Sequence, residues 1–350
     1  MRSPQQRLLM IIGGTAVLVL AVLVLLSPVG KKKTEHDQQH AQPNITDSQD
    51  NAADQQATKP AQPTGDGEQK TGEDQEIASL RASPEGEGMA AGELYALGVK
   101  LTGENKLVQA RSVLSRALLS GRLSAAEAND AQTRLADLAN ETLFSSRVYD
   151  DDPYTFRYVV QPGDMLAKLE VRLQLHVPHI LLREINGLKN DTIYAGQTLK
   201  MVRGPFHAVV DKSDLTMDIY LHREGLEKLF IARMPVGLGK DNGTPSGMWQ
   251  VELGGKAVKP PWYPPPGSGL NGRIEYGDPN YAFGEKGLWI PLVGLDEDNK
   301  SFRGYGIHST NKPETIGRTA SLGCIRLRDE NIEVVFALLY EKWSTVEVRP

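Results

Sequence analysis

The chain has 350 residues, 40% of them hydrophobic and 24% charged, which is enough for roughly two to three domains of ordinary size. Its net charge of −5 arises in one stretch, because residues 31–85 hold six Lys or Arg and eleven Asp or Glu. The remainder is balanced and offers no basic footprint for a phosphate backbone, so the composition argues against nucleic-acid binding. A single cysteine excludes a disulfide framework and a cysteine-based zinc site.

Residues 1–29 are predicted to form an N-terminal transmembrane helix. Leu8–Leu26 contains no charged residue, and as a helix it would span about 28 Å of a hydrocarbon core roughly 30 Å thick. A cleavable signal peptide is the alternative, but its apolar region is usually about 7–15 residues long and ends in a small-residue cleavage pattern that is missing here. Arg2 and Arg7 precede the run and Lys31–Lys33 follow it, so charge alone leaves the orientation open.

Residues 30–85 have the composition of a disordered linker. They are rich in Gln, Asp, Thr, Pro and Gly, and the first aromatic residue of the chain is Tyr95. A flexible coil of this length has a root-mean-square reach of about 40 Å. The segment is therefore predicted to be a spacer between the membrane and the following domains.

A small all-α segment is predicted over residues 86–147. Apolar residues recur there at helical spacing in runs separated by Gly103 and Gly121. The stretch from Ala91 to Leu118 resembles a tetratricopeptide-type helical hairpin over about one and a half repeats, and such a unit cannot bury its apolar face alone. Two interpretations stay open: the helices pack on a neighbouring domain, or they form a groove for a protein partner.

Residues 157–203 show the order strand, helix, helix, strand. The segment opens with Tyr158-Val-Val-Gln-Pro-Gly-Asp-Met-Leu166 and closes with Asp191-Thr-Ile-Tyr-Ala-Gly-Gln-Thr-Leu-Lys-Met201. Both ends resemble those of the LysM module, a family that binds N-acetylglucosamine-containing glycans. The resemblance implies a βααβ fold, with a glycan groove beside the loops at Gly163–Leu166 and Asn190–Ala195.

Residues 206–349 are predicted to form a mostly-β domain with one or two helices. Apolar and polar residues alternate over Leu215–Leu221, as expected for a half-buried strand. Asp329 is a suitable N-cap for a helix whose apolar residues recur at the correct spacing. Further strands are predicted at residues 229–236, 248–253, 288–292, 304–308 and 346–348.

The only cysteine, Cys324, lies sixteen residues after His308. A free cysteine is most often an inert small apolar residue. As a nucleophile it needs a base, because an unperturbed thiol with a pKa near about 8.5 is only a few per cent thiolate at neutral pH. An imidazole beside the sulfur could take that proton and later return it to a leaving amine. The two residues therefore form a candidate nucleophile and base.

The sequence around this pair resembles the catalytic signature of the L,D-transpeptidase family. That signature is His-Gly-Thr, a loop, and Ser-x-Gly-Cys-(apolar)-Arg, and here Ile307-His-Ser-Thr is followed by Ser321-Leu-Gly-Cys-Ile-Arg326. Gly243-Thr-Pro-Ser-Gly247 and Pro260-Pro-Trp262 resemble two further motifs of the family. The resemblance implies a YkuD-type catalytic domain over residues 206–349.

For the reacting groups, the resemblance implies that Cys324 is the nucleophile and His308 the general base. The backbone carbonyl of Ser309 would orient the imidazole ring, although the usual residue at this position is glycine. The backbone N–H groups of Gly323 and Cys324 would form the oxyanion site.

Two further residues are implied on the substrate-binding side of the site. Arg326 offers a cationic fork for a substrate carboxylate, and its alternative is a structural salt bridge. Ser321 is expected to hold the loop rather than to react.

The resemblance implies a reaction on peptidoglycan stem peptides that forms 3→3 crosslinks through a cysteine thioester and releases D-alanine, without a metal or cofactor. An L,D-carboxypeptidase on the same domain is one alternative, and a non-catalytic wall-binding scaffold is another. The expected partners are stem peptides, glycan strands and the membrane. The substrate implies a bacterial envelope location, in which the N-terminus is inside and the C-terminal domains are outside the cytoplasm, in the periplasm.

Overall fold

The computed structural model describes residues 88–350, so the predicted anchor at residues 1–29 and the linker at residues 30–85 lie outside the described residues. Over residues 88–350 no helix has both the length and the apolar character needed to cross a membrane. The described part begins with three helices, which are α1 (Ala91–Gly103), α2 (Leu107–Leu119) and α3 (Ala125–Ala139). The start of α3 is fixed by Ser124, whose hydroxyl accepts the Glu127 N–H in a capping box.

The helices pack against one face of the sheet of the mostly-β domain. Tyr220 and Phe230 from that sheet are buried among the apolar residues of the helices. The Phe230 N–H donates to Ser115 Oγ at 3.2 Å. A buried ion pair joins Arg111 Nη2 to Asp152 Oδ1 at 2.9 Å. These are the contacts that the packing interpretation of the helical segment requires.

The next elements form the module predicted over residues 157–203. They are β1 (Thr155–Val159), α4 (Leu166–Arg172), α5 (His179–Ile185) and β2 (Thr198–Val202). The two strands pair antiparallel, with Tyr158 opposite Leu199. The predicted βααβ order is confirmed.

This module is joined to the mostly-β domain by a shared hydrophobic core. The His176 and Trp343 rings stack with their centroids 3.6 Å apart, and the Tyr340 hydroxyl donates to Glu170 Oε1 at 3.1 Å. Lys200 is buried and donates to the carbonyl of Thr142 at 2.6 Å, and burial lowers its pKa to about 8. The module is thus built into the fold rather than attached by a flexible joint.

The mostly-β domain is confirmed, and it is built on one mixed sheet. Its strands are β3 (Phe206–Asp211), β4 (Thr216–Leu221), β5 (Leu229–Pro235), β6 (Leu238–Gly239), β7 (Gly247–Val251), β8 (Ala257–Val258), β9 (Leu288–Gly294), β10 (Gly306–Ser309), β11 (Thr319–Ser321), β12 (Ile325–Leu327) and β13 (Thr345–Arg349). The sheet order is β12-β10-β9-β7-β13-β3-β4-β5, β8 pairs with β9, and β11 pairs with β6 in a separate two-stranded sheet. Helix α6 (Asp329–Leu338) covers β9 and β10.

Two local predictions are wrong. The N-cap of α6 is Arg328, so Asp329 is the first helical residue, where its charge still favours the helix N-terminus. Strand β4 is buried on both faces from Met217 to Leu221, not half-buried. Its second face lies under the helical segment, and the buried Asp218 carboxylate is satisfied by the Arg233 guanidinium at 2.6 Å.

Candidate active site

The parallel pair β10–β12 at the edge of the sheet brings the candidate nucleophile and the candidate base to one cavity. His308 lies opposite Arg326, and Cys324 directly precedes β12. Because alternate residues of a strand face the same side, Cys324 and Arg326 project towards the face that carries His308. All three line one cavity of about 430 Å³. Its walls also include Trp262, Phe283, Trp289 and Tyr305.

The His308 ring is held in a defined orientation by its own strand. Nδ1 lies 2.5 Å from the Ser309 carbonyl oxygen, so Nδ1–H donates and Nε2 is left as the basic nitrogen. The ring is 4.8 Å from the Phe283 ring and 5.8 Å from the Trp289 ring, measured between centroids. Burial lowers the pKa of His308 to about 4, and the Ser309 carbonyl offsets part of that effect. The imidazole is therefore neutral at physiological pH and can accept a proton.

Cys324 is half-buried, and its thiol is neutral at rest. Sγ lies 3.6 Å from the Gly304 carbonyl oxygen, which can accept the S–H. Burial raises the pKa of Cys324 to about 11, while the Gly306 backbone N–H and the charge of Arg326 act in the opposite direction. A reactive thiolate must therefore form as the proton leaves, rather than exist beforehand.

The turn before Cys324 is fixed by two buried hydroxyl groups. Ser321 Oγ donates to the Cys324 carbonyl at 2.8 Å and accepts the Gly323 N–H at 3.1 Å. Thr244 Oγ1 donates to the Gly323 carbonyl at 2.8 Å and accepts the Gly239 N–H at the same distance. Gly323 has a φ of +139°, and a Cβ there would lie 2.7 Å from the Tyr305 ring, so only glycine fits.

These bonds correct one expectation for the site. The Gly323 N–H, predicted for the oxyanion site, is directed to Ser321 Oγ. Ser321 lines the cavity, but it is 1% exposed and makes its hydrogen bonds within the loop, so it holds the turn in place, as expected. The backbone N–H that faces the sulfur belongs to Gly306, which the sequence motif does not single out. The Gly243–Gly247 motif contains Thr244, but the motif alone does not predict that its hydroxyl bonds the Gly323 carbonyl.

Arg326 is a half-buried cation at the cavity. Within residues 88–350 its guanidinium forms no ion pair, and its buried Nε has no hydrogen-bond partner. Burial lowers its pKa. The described lining of the cavity contains a second cation, the exposed Arg303, and no Asp or Glu. Such an arrangement favours an anionic group of a ligand.

The two loops predicted to border a glycan groove each expose a large apolar side chain. Met165 is 53% exposed in the first loop, and Tyr194 is 70% exposed in the second. The backbone of the second loop is held by Gln197, whose Oε1 accepts the Tyr194 N–H at 3.1 Å. Within the described part of the chain, no group of three His, Cys, Asp or Glu residues is arranged to hold a metal ion.

Comparison with protein-family models confirms both domain resemblances. Residues 205–348 match the L,D-transpeptidase catalytic domain of the YkuD family, and residues 158–201 match the LysM domain. The mostly-β domain is thus an L,D-transpeptidase catalytic domain, a family generally made up of transferases, and the βααβ module is a LysM domain.

Two bacterial relatives named among the L,D-transpeptidases show similarity to parts of the chain. YqjB of Bacillus subtilis is 33% identical over 102 residues, which are 29% of this chain and 50% of that protein. YkuD of Bacillus licheniformis is 26% identical over 200 residues, which are 55% of this chain and 98% of that protein. The chain therefore spans half the length of the first relative and almost all of the second.

Among solved structures, an L,D-transpeptidase from Mycobacterium smegmatis aligns with a TM-score of 0.31 at 15% identity, covering 44% of this chain and 64% of that one. L,D-transpeptidase 1 of Mycobacterium tuberculosis aligns with a TM-score of 0.29 at 16% identity, covering 45% of this chain and 67% of that one. The family assignment of the domain rests on the sequence match.

Proposed function

We propose that this chain is a peptidoglycan L,D-transpeptidase that forms 3→3 stem-peptide crosslinks through a thioester on Cys324. One observation carries the proposal: the thiol of Cys324 and an imidazole held as its Nδ1–H tautomer line the same cavity. A nucleophile, a base and a group that orients the base are the minimum set for acyl transfer by a cysteine enzyme.

In the acylation half, Cys324 attacks the carbonyl carbon of the third residue of a stem tetrapeptide. The S–H proton passes to Nε2 of His308 as the S–C bond forms. The C–N bond to the terminal D-alanine then breaks, and the imidazolium returns the proton to the departing amine. The products are free D-alanine and a thioester on the enzyme.

In the second half, an amine attacks the thioester carbonyl and passes a proton to His308. The C–S bond breaks, and the proton moves from the imidazolium to the sulfur, which restores the starting enzyme. An acceptor amine from the third residue of another stem gives the 3→3 crosslink. Water in its place gives the tripeptide of a carboxypeptidase, and neither half needs a metal or cofactor.

Arg326 is the residue that we propose to hold the donor peptide. It is a half-buried cation in a cavity whose described lining has no acidic side chain. A carboxylate of the stem peptide would pair with the guanidinium and supply the missing partner. This contact would place the scissile carbonyl near the sulfur.

Mass spectrometry of a purified disaccharide-tetrapeptide tests the reaction directly. The wild type should yield dimers whose mass equals two substrates minus one D-alanine. Cys324→Ala should yield no dimer. Tripeptide alone would replace the crosslinking proposal by hydrolysis. Unchanged substrate with the wild type would favour a wall-binding scaffold.

We also propose that the LysM domain holds glycan strands and that both domains act outside the cytoplasm, where that substrate lies. The exposed Tyr194 is a suitable surface for stacking on a sugar ring. Tyr194→Ala should weaken sedimentation with insoluble peptidoglycan while leaving the rate on the soluble fragment unchanged. Equal binding by this variant and the wild type would contradict glycan binding through Tyr194. The location is tested by fusing to the C-terminus a reporter that is active only in the periplasm, and an inactive reporter would contradict it.

A further inference from the structure

The residue after the candidate base, Ser309, carries a side chain where the family usually has glycine. Its backbone is part of β10 and has no left-handed φ, so the conformation does not require glycine. The residue is completely buried. Its carbonyl accepts from His308 Nδ1, and its hydroxyl donates to the Phe283 carbonyl at 2.5 Å. One residue therefore bonds both the imidazole and the segment that covers it.

Phe283 forms the part of the cavity wall that lies against the imidazole. Its ring is 4.8 Å from the His308 ring and stacks on Trp289 at 5.0 Å with an interplanar angle of 15°. Phe283 is 6% exposed and His308 is 3% exposed, so the two rings are buried against each other. The hydroxyl of Ser309 thus connects the backbone of this aromatic cover to the strand that carries the base.

The next residue, Gly284, shows how closely the two segments approach. Its φ is +64°, and a Cβ built there would lie 2.6 Å from Ser309 Oγ and 2.8 Å from Asp329 Oδ1. Both distances are too short for a real carbon atom, so a glycine is needed for the turn to reach Ser309. The position of Phe283 is therefore set by the hydrogen bond on one side and by a glycine-dependent contact on the other.

We propose that the Ser309 side chain is a positioning residue that holds Phe283 against His308 and so keeps the base dry and in one orientation. The inference rests on the proposed role of His308 as the general base. It differs from the role of the Ser309 carbonyl, which any residue at this position could supply. Cys324 and Arg326 from the β12 side and Asp329 from α6 are charged or titratable groups near the imidazole. The lining of the same cavity also contains Arg303, Tyr263 and Tyr305, and the Tyr281 ring lies 5.4 Å from that of Phe283.

Histidine titration by NMR tests this positioning role without relying on turnover. The full chain is labelled at histidine Cε1, the signal of His308 is assigned with His308→Gln, and the wild type is compared with Ser309→Ala and Ser309→Gly. Ser344→Ala is the matched control, because Ser344 is also completely buried and its Oγ also makes one hydrogen bond, to the Tyr340 N–H at 2.7 Å, but it does not line the cavity.

We expect His308 to titrate with a pKa of about 4 in the wild type and in Ser344→Ala. In both Ser309 variants the midpoint should rise by at least about 1 pH unit, because water reaches the ring once Phe283 is released. The acid limb of the kcat/KM profile should move with it, so kcat/KM at about pH 4 should fall about fivefold while the value at about pH 7 changes little.

An unchanged His308 midpoint in Ser309→Ala, with a loss of thermal stability like that of Ser344→Ala, would show that the hydroxyl is only structural and would overturn the proposal. The two proposals fail in different ways. A wild type that makes no product would refute the proposed function, while the titration would still report on Ser309.

Discussion

The protonation state of Cys324 can be tested through its reaction with iodoacetamide. The thiol has a pKa of about 11 because it is buried, and the nearby imidazole has a pKa of about 4. The proton therefore stays on sulfur at rest. At about pH 7.5 the thiolate fraction is about 3 × 10⁻⁴, against about 10⁻¹ for an exposed thiol of pKa about 8.5, a ratio of about 300.

The alkylation rate, measured by intact mass, reports the thiolate fraction of Cys324 alone, because Cys324 is the only cysteine in the chain. The rate constant should be about 300-fold below that of a free cysteine at about pH 7.5, and it should rise about 10-fold per pH unit between about pH 7 and 10. His308→Gln should change it by less than about threefold, although the same variant should lose turnover, because the imidazole is needed only when a substrate reacts.

A rate that is flat above about pH 7 would refute this reasoning, because it would mean that the thiolate is already formed as an ion pair with a protonated His308. A large fall of the alkylation rate in His308→Gln at neutral pH would lead to the same conclusion. In either case the burial of the two groups would not control their protonation.

Three further predictions concern stability and substrate binding. Thr244→Val removes the buried hydroxyl that bonds Gly323, so it should cost about 2–4 kcal/mol of unfolding free energy and lower Tm by several degrees, whereas Thr244→Ser should keep both bonds and most of the stability. Arg326→Gln should raise KM about 10-fold or more for a donor with a free carboxylate, and an equal effect on an amidated donor would contradict carboxylate binding. His308 and His207 both have a pKa of about 4 in the folded protein, below the value of about 6.5 expected in the unfolded chain. As the pH falls, the unfolded state therefore binds protons first, and the free energy of unfolding should decrease between about pH 6.5 and 4. Urea titrations should show this decrease, with about 3 kcal/mol contributed by His308.

The local order of the elements could be predicted where it depends on residues that are close in sequence. The βααβ module follows from its Pro-Gly turn and apolar spacing, and the strand and helix of the catalytic motif follow in the same way. The second buried face of β4 could not be predicted, since it depends on the helices of residues 91–139, which are distant in sequence and lie over it. Alternation in a strand predicts two faces, but not what covers them.

The same distinction between local and distant contacts applies to the candidate site. The reacting pair could be predicted, because both residues lie in a short specific motif. The direction of the Gly323 N–H could not be predicted, because it depends on the orientation of the Ser321 hydroxyl inside the loop. Thr244 reaches Gly323 over 79 positions of sequence, and no spacing rule connects them. That Arg326 has no ion-pair partner within residues 88–350 likewise depends on which side chains the folded chain brings to the cavity.

Arg326 has opposite effects on the two halves of the reacting pair. Its charge lowers the pKa of Cys324, which favours the thiolate, and lowers the pKa of His308, which disfavours the imidazolium. Proton transfer from sulfur to nitrogen needs both charged forms at once, so the arginine alone gives little net drive for the transfer. A neutral resting pair is therefore the expected state of a site with a free cation and no acid in its described lining. The proton is expected to move only when attack on a carbonyl consumes the thiolate as it forms.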